Sequence, residues 1–245
     1  MSWPSAPWSE VPIAPAALMR RVDDEAHRVF HIGTAQLMEV AGFQVARFVT
    51  DWLGGVAGRR IVVVAGSGNN GGDALVAARF LAQRGAAVTA HCLPPKDSSS
   101  LVANHARTLQ AMGIACGPLN ASVRISADLV VDGLLGTGIR LPLREPLPGV
   151  IAAVNHSGTP VVAIDLPSGL DSESGEGDAE AVQATATLTL GLPKPALRGA
   201  SCRGRLFLAD IGLPAALFGA DEMAVSSLYR AGDLLETVET PQTPS

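Results

Sequence analysis

The sequence predicts a doubly wound α/β sandwich, and three observations predict it. Short, almost wholly apolar β-branched runs follow one another after Arg60, helix-length segments separate them, and the first run empties into a glycine-rich turn that opens a helix. Parallel strands buried on both faces read as continuous apolar runs, and spacers of a dozen or more residues suit right-handed crossovers. With 245 residues, 47% of them hydrophobic, the chain is long enough for one full core.

Taken in order, residues 1–14 are rich in Pro, Ser and Trp and are expected to be flexible, although Trp3 and Trp8 offer anchors for docking. A domain body is expected over 15–232. It opens with a helix from Ala17 to Val29. Leu37, Met38, Ala41, Val45, Phe48, Val49 and Trp52 then recur at helical spacing, ending near Gly54-Gly55. Beyond lie the strand "IVVVA", a helix from Asp73 to Arg84, "AVTAHC", a helix from Leu101 to Met112, "DLVVD", a helix from Leu147 to Asn155, and "VVAID". "TATLTLGL" and "RLFLAD" follow with no clear helix between them, so they are expected to be antiparallel or edge strands. Residues 233–245, with their polar "ETVETPQTPS", are expected to be a flexible tail.

The net charge of −5 and the absence of a Lys/Arg cluster argue against nucleic acid as a partner. Cys92, Cys116 and Cys202 are far apart in the chain and form no CxxC pair, which suits a reducing cytoplasm and argues against structural zinc. The N-terminus lacks a basic segment followed by an apolar one, and no run is long enough to span a bilayer, so a cytoplasmic location is expected.

"GSGNNGGD", Gly66 to Asp73, sets four glycines and two asparagines between a buried strand and a helix start. Free backbone N–H groups and the positive end of the helix dipole there favour an anion. A nicotinamide dehydrogenase would carry an acid at the end of the next strand to hold the ribose hydroxyls. Here that strand ends "AVTAHCLPPK", with no acid, and no Gly-Lys-Ser/Thr follows the glycines as a triphosphate loop requires.

Ligands of open parallel sheets sit outside the carboxyl ends of the strands. The first strand leads to Asn69, Asn70 and Asp73, with Asp73 expected to cap the helix in part. "DLVVD" ends at Asp132, before Gly133 and the "GTG" of Gly136 to Gly138. "VVAID" ends at Asp165, before "LPSGLD" with Ser168 and Asp171. Two acids at one edge can raise each other's pKa by desolvation and like charge, or can join an amide oxygen in holding a hard cation; both readings stay open at this point.

"GSGNNGGDALVAARFLAQRGAAV", "LVVDGLLGTGIRLPL", "GTPVVAIDLPSGLDSESG" and "LGLPKPAL…ADIGLP" resemble, in this order, the YjeF N-terminal domain family, whose members include the NAD(P)H-hydrate epimerases. The likeness runs from about Met19 to about Pro214. It implies a three-layer αβα sandwich with a Rossmann-like, mostly parallel sheet, and a homodimer. The implied reaction is interconversion of the R and S forms of NADHX and NADPHX, the hydrated and damaged cofactors, which makes NAD(P)HX a substrate rather than a cofactor. It further implies that Asn69, Asn70, Gly71, Gly72, Asp73, Gly136, Thr137, Gly138, Ile139, Arg140, Leu141 and Pro142 line the substrate and that Asp165 contacts its reacting end; its place at a strand end beside a glycine-rich loop makes Asp165 the expected catalytic acid/base. Asn70, Asp132 and Ser168 are implied to bind one potassium ion per subunit. A separate NAD(P)HX dehydratase is an implied partner.

The sequence departs from the family at Val40, where Asn is usual, at Ala74, where Gly is usual, at Gly133, where Ala is usual, and at Leu141, where Gly is usual. Leu141 is the departure expected to crowd the substrate loop. Lys194, between two prolines in "GLPKPAL", reads as an exposed turn lysine, and the acids of "DSESGEGDAE" read as a solvated loop. The five histidines show no ligand spacing, and Ser168 lacks the Gly-x-Ser-x-Gly context of a hydrolase. The rival function is a noncatalytic ligand-binding or scaffold module of the same family.

Overall fold

The computed structural model describes residues 3–95 and 97–239. The strands are β1 (Ser5–Pro7), β2 (Arg60–Ala65), β3 (Ala87–Cys92), β4 (Ala115–Pro118), β5 (Leu129–Gly133), β6 (Val161–Ile164), β7 (Ala186–Leu190), β8 (Arg205–Ala209) and β9 (Leu234–Val238). The α-helices are α1 (Ala16–Arg28), α2 (Thr34–Trp52), α3 (Asn69–Gln83), α4 (Leu101–Ala111), α5 (Leu147–His156) and α6 (Glu222–Ala231).

The apolar runs after Arg60 divide between two cores by strand alternation. Ile61, Val63, Ala65, Leu129, Val131, Val162 and Ile164 face the core shared with α1 to α4 and α6. Val62, Val64, Val130 and Val161 face the smaller core under Val150, Ile151 and Val154 of α5. The result is a sheet between two helical layers. Ile61, Leu75, Leu81 and Leu129 are fully buried, each contributing roughly 1.5–3 kcal/mol relative to exposure. Among the described residues, no helix is long and apolar enough to cross a membrane.

The strand order is β1-β9-β8-β7-β6-β5-β2-β3-β4, and every pairing is parallel except β8 with β9. Two expectations are corrected by this arrangement. "TATLTLGL" and "RLFLAD" provide β7 and β8, which are interior and parallel to β6, because two short 3₁₀ turns at Pro195–Arg198 and Ser201–Arg203 make the crossover where no α-helix is available; the expected antiparallel pairing is found only between β8 and β9. The ends are not loose either. Ser5, Ala6 and Pro7 pair with Glu236, Thr237 and Val238, so β1 and β9, within the expected flexible segments 1–14 and 233–245, extend the sheet. Trp8 is buried, and the Trp3 ring packs 5.0 Å from Phe207, 5.5 Å from Phe48 and 6.0 Å from Trp52. Burial of this aromatic cluster offsets the entropy that composition alone leaves uncompensated. Residues 1–2 and 240–245 of the expected flexible ends lie outside the described residues.

Candidate active site

β2 delivers the chain into Gly66-Ser67-Gly68, and α3 begins at Asn69 with Gly68 as its N-cap. The helix therefore starts four residues before the expected Asp73, and Asp73 is no cap: it lies in the helix, almost fully buried. The early start follows from close packing. A Cβ on Gly66 would lie 1.9 Å from the Leu134 carbonyl oxygen, and one on Gly71 would lie 2.0 Å from the Gly66 oxygen. Only glycines let the turn fold back so tightly. Asn69, Asn70, Gly71 and Gly72 thus form the first turn; the Gly72 N–H closes it onto the Gly68 oxygen at 3.2 Å, and the amides of Asn69, Asn70 and Gly71 precede that first intrahelical bond.

Asp132 sits in β5 with no solvent exposure. Its Oδ2 accepts from the Ser168 N–H at 2.9 Å, and its Oδ1 accepts from the Ser168 hydroxyl at 2.7 Å and the Leu134 N–H at 3.2 Å. Burial pushes this carboxyl up to about 6, although the hydrogen bonds from Ser168 and Leu134 pull the other way. Ser168 Oγ also accepts from the Leu135 N–H at 2.8 Å. Asn70 Nδ2 donates to the Leu135 oxygen at 2.7 Å and the Ile164 oxygen at 3.1 Å. Asn70, Asp132 and Ser168 therefore converge on one short stretch of backbone beyond β5 and β6.

Asp165 follows β6 with a φ of 65°, in the left-handed region that a non-glycine residue adopts at a cost. Its Oδ1 accepts from the Leu190 N–H at 3.1 Å, from the Thr189 hydroxyl at 3.2 Å and from the Lys194 ammonium. Among the described residues, no donor reaches Oδ2. Lys194 is 2% exposed and also donates to the Leu190 oxygen at 3.1 Å, so the exposed-turn reading is corrected. Leu192, Ala196 and Leu197 around it are buried. A lysine set in that apolar run was the available signal. Asp165 and Asp23, the latter from α1, act through their charge on Asp73; burial first, then these two neighbours, holds the Asp73 carboxyl well above its ordinary range. Asp23 carried no motif by which sequence could have found it.

The loop after β5 lies beside this edge. Gly136 packs against Asn70, whose Cβ would be 3.5 Å from a Cβ placed there. Gly136, Thr137, Ile139 and Leu141 are half-buried, and Gly138, Arg140 and Pro142 are exposed. Leu141 lies beside Gly177: a Cβ on that glycine would be 3.5 Å from Leu141 Cδ1. The acidic loop following Ser168 is stitched rather than merely solvated. Asp171 accepts from the Glu173 and Ser174 N–H groups, and Asp178 accepts from the Ser201 and Cys202 N–H groups. Val40 is 38% exposed on α2.

Two departures from the family pattern meet each other. A Cβ on Gly133 would lie 2.5 Å from the Cβ of Ala74, closer than real carbons approach. The usual pair is Gly opposite Ala, and here Ala74 stands opposite Gly133. One methyl group still occupies the contact between α3 and β5, contributed from the other side.

The family model for the YjeF-related protein N-terminus matches residues 34–196. The chain is 42% identical over 193 residues to the bifunctional NAD(P)H-hydrate repair enzyme Nnr of Mycobacterium tuberculosis, covering 77% of this chain and 39% of that protein. It is 38% identical over 212 residues to the Nnr of Moorella thermoacetica, covering 81% of this chain and 40% of that protein. The chain thus spans about two-fifths of the length of these relatives. The crystal structure of the yeast protein ynu0 superposes with a TM-score of 0.76 at 24% identity, over 85% of this chain and 94% of that one, and shares its fold. With a family match across most of the sheet and every strand end described above, the chain belongs to the YjeF-related protein N-terminus family.

Proposed function

We propose that the chain is an isomerase, an NAD(P)H-hydrate epimerase that interconverts the R and S forms of NADHX and NADPHX. The observation that carries the reading is Asp165: a carboxylate on strained backbone, with one oxygen held by Lys194, Thr189 and Leu190 and the other without a donor, at the edge that also bears the glycine-rich turn. In the hydrated nicotinamide, the carbon bearing the hydroxyl adjoins the ring nitrogen. With Oδ2 protonated, Asp165 gives that proton to the departing hydroxyl, the nitrogen lone pair stabilises the cation, and the Oδ2 carboxylate takes a proton back from the water that adds to either face. Lys194 fixes the carboxylate so that Oδ2 keeps its aim. The free first-turn amides of α3, those of Asn69, Asn70 and Gly71, receive the anionic diphosphate, Gly72 and Asp73 line the same edge, and Gly136, Thr137, Gly138, Ile139, Arg140, Leu141 and Pro142 close over it.

The residues present also fit a potassium ion. Asp132 is a fully buried carboxylate without a cationic partner among the described residues, and Ser168 Oγ and the Leu135 and Ile164 carbonyls are neighbouring oxygen donors. A hard monovalent cation suits such a set. Asn70 joins it by turning its amide oxygen inward. A bound ion supplies charge balance and fixes the loops that carry Ser168 and Leu135. A homodimer acting in the cytoplasm beside a separate NAD(P)HX dehydratase completes the reading.

The test is chiral separation of R- and S-NADHX incubated with the protein, with and without potassium. Asp165→Asn should slow epimerisation by roughly 10²- to 10⁴-fold. An unchanged rate in that variant removes Asp165 from the role, and a parent rate no faster than the spontaneous one supports the noncatalytic module.

A further inference from the structure

β3 and β4 are neighbouring parallel strands in which Ala90 pairs with Cys116 and Cys92 pairs with Pro118. Residues two apart on a strand point the same way, so Cys92 and Cys116 share one face of the sheet as diagonal neighbours. Their sulfurs are 3.9 Å apart. Both are half-buried and neither is in a disulfide, whereas Cys202 is buried elsewhere. We propose that Cys92 and Cys116 form a dithiol site that small disulfides of the oxidised-glutathione class convert to an intramolecular disulfide.

Three features make the pair suited to that chemistry. The thiolate is the attacking species, and the contact with Cys92 holds the Cys116 thiol below its ordinary range, while the same contact and burial push Cys92 up. Cys116 is therefore the nucleophile. Its thiolate attacks one sulfur of the small disulfide, forming a mixed disulfide and expelling one thiolate. Cys92 then gives up its proton and attacks the Cys116 sulfur, the mixed disulfide breaks, and a second thiolate leaves. Two protein thiols are oxidised and one small disulfide is reduced to two thiols. A normal S–S bond is about 2.0 Å, so the sulfurs must draw together, and a diagonal pair needs some backbone movement. β4 is a four-residue strand at the sheet's edge, with no neighbour on its outer side, and can yield.

The site also has a place in the fold. Cys92 pairs with Ala65, the residue just before Gly66, so the disulfide would form one strand away from the glycine-rich turn. It would occupy the strand end where a dehydrogenase keeps its ribose-binding acid. The inference rests on sulfur geometry alone and stands whether or not the chain is an epimerase.

The test uses the full chain treated with oxidised glutathione, quenched with iodoacetamide and digested with trypsin without reduction. Arg107 lies between the two cysteines, so trypsin separates their peptides unless they are linked. The expected result is a linked peptide containing Cys92 and Cys116, lost on reduction. In the reduced protein, Cys116 should alkylate at lower pH than Cys92, and Cys92→Ala should move its half-maximal pH up toward the ordinary thiol value of about 8.5. Complete alkylation of both cysteines after oxidation, mixed adducts that never resolve, or a link only between two chains would overturn the proposal.

Discussion

Two carboxylates end neighbouring strands a few residues from one another, and the molecule treats them in opposite ways. Asp165 has its counter-charge built in: Lys194 is buried against it, and Thr189 and Leu190 donate to the same oxygen. Asp132 is more deeply buried and receives only neutral donors, from Ser168 and Leu134. A buried charge costs several kcal/mol unless it is paired, so the two sites carry different debts. The first is internally neutral and can hold its geometry through a reaction. The second has no cationic partner among the described residues, which is the physical argument for the ion proposed there and not beside Asp165.

The largest expected effect breaks the first site. Lys194→Met leaves the half-buried Asp165 without its counter-charge and should cost about 3 kcal/mol in urea unfolding, because removal of one partner leaves the other's desolvation penalty offset only by Thr189 and Leu190. Asp132→Asn, measured beside it at pH 8 without potassium, should cost less, about 1–3 kcal/mol, because it removes an unpaired buried charge while setting an amide NH2 against the N–H of Ser168 or Leu134. Equal losses in the two variants would erase the contrast.

The next effect sharpens the contrast through pH. An acid whose folded pKa is raised binds its proton more readily when folded, so its burial is harmless below the unfolded value and costly above the folded one. For Asp132 those values are 3.8 and about 6, and the gap corresponds to about 3 kcal/mol of stability lost as pH rises through that window. Asp73 contributes with the same sign. Potassium should therefore raise the melting temperature at pH 8 and leave it unchanged at pH 5, compared with choline at equal ionic strength. An equal potassium response at both values would dissociate the ion from Asp132.

The smallest effect tests how the two strand ends are packed. Gly133→Ala should cost about 1–3 kcal/mol by crowding Ala74 at 2.5 Å and the Asn70 carbonyl oxygen at 2.8 Å, and Ala74→Gly in the same chain should return the part owed to the first contact. Additive losses would show that the two positions do not share one methyl group.

The strand ends were legible because chemistry and local pattern coincide there. An apolar run stopping at Asp132 or Asp165, or passing into Gly66-Ser67-Gly68, marks the edge of a parallel sheet without knowledge of any contact. The start of α3 was misread because two glycines before Asp73 resemble a loop, whereas close approach to Leu134 and Gly66 makes them part of a helix. Lys194 and Asp165 are 29 residues apart, and nothing in "GLPKPAL" names the partner that makes burial of the lysine tolerable. The same limit hid the sulfur contact, which spans 24 residues and depends on β3 and β4 lying in register. β7 and β8 were placed as antiparallel or edge strands because parallel crossovers are expected to contain a helix, and short 3₁₀ turns serve instead.

The pairing of β1 with β9 also bears on how copies of the molecule meet. An outermost strand normally presents a row of amides and carbonyls to which a stray chain can add. Here that rim is only three residues long and ends in Pro7, which has no amide hydrogen to offer, so the aromatic-anchored leader blunts one route to ribbon-like aggregation.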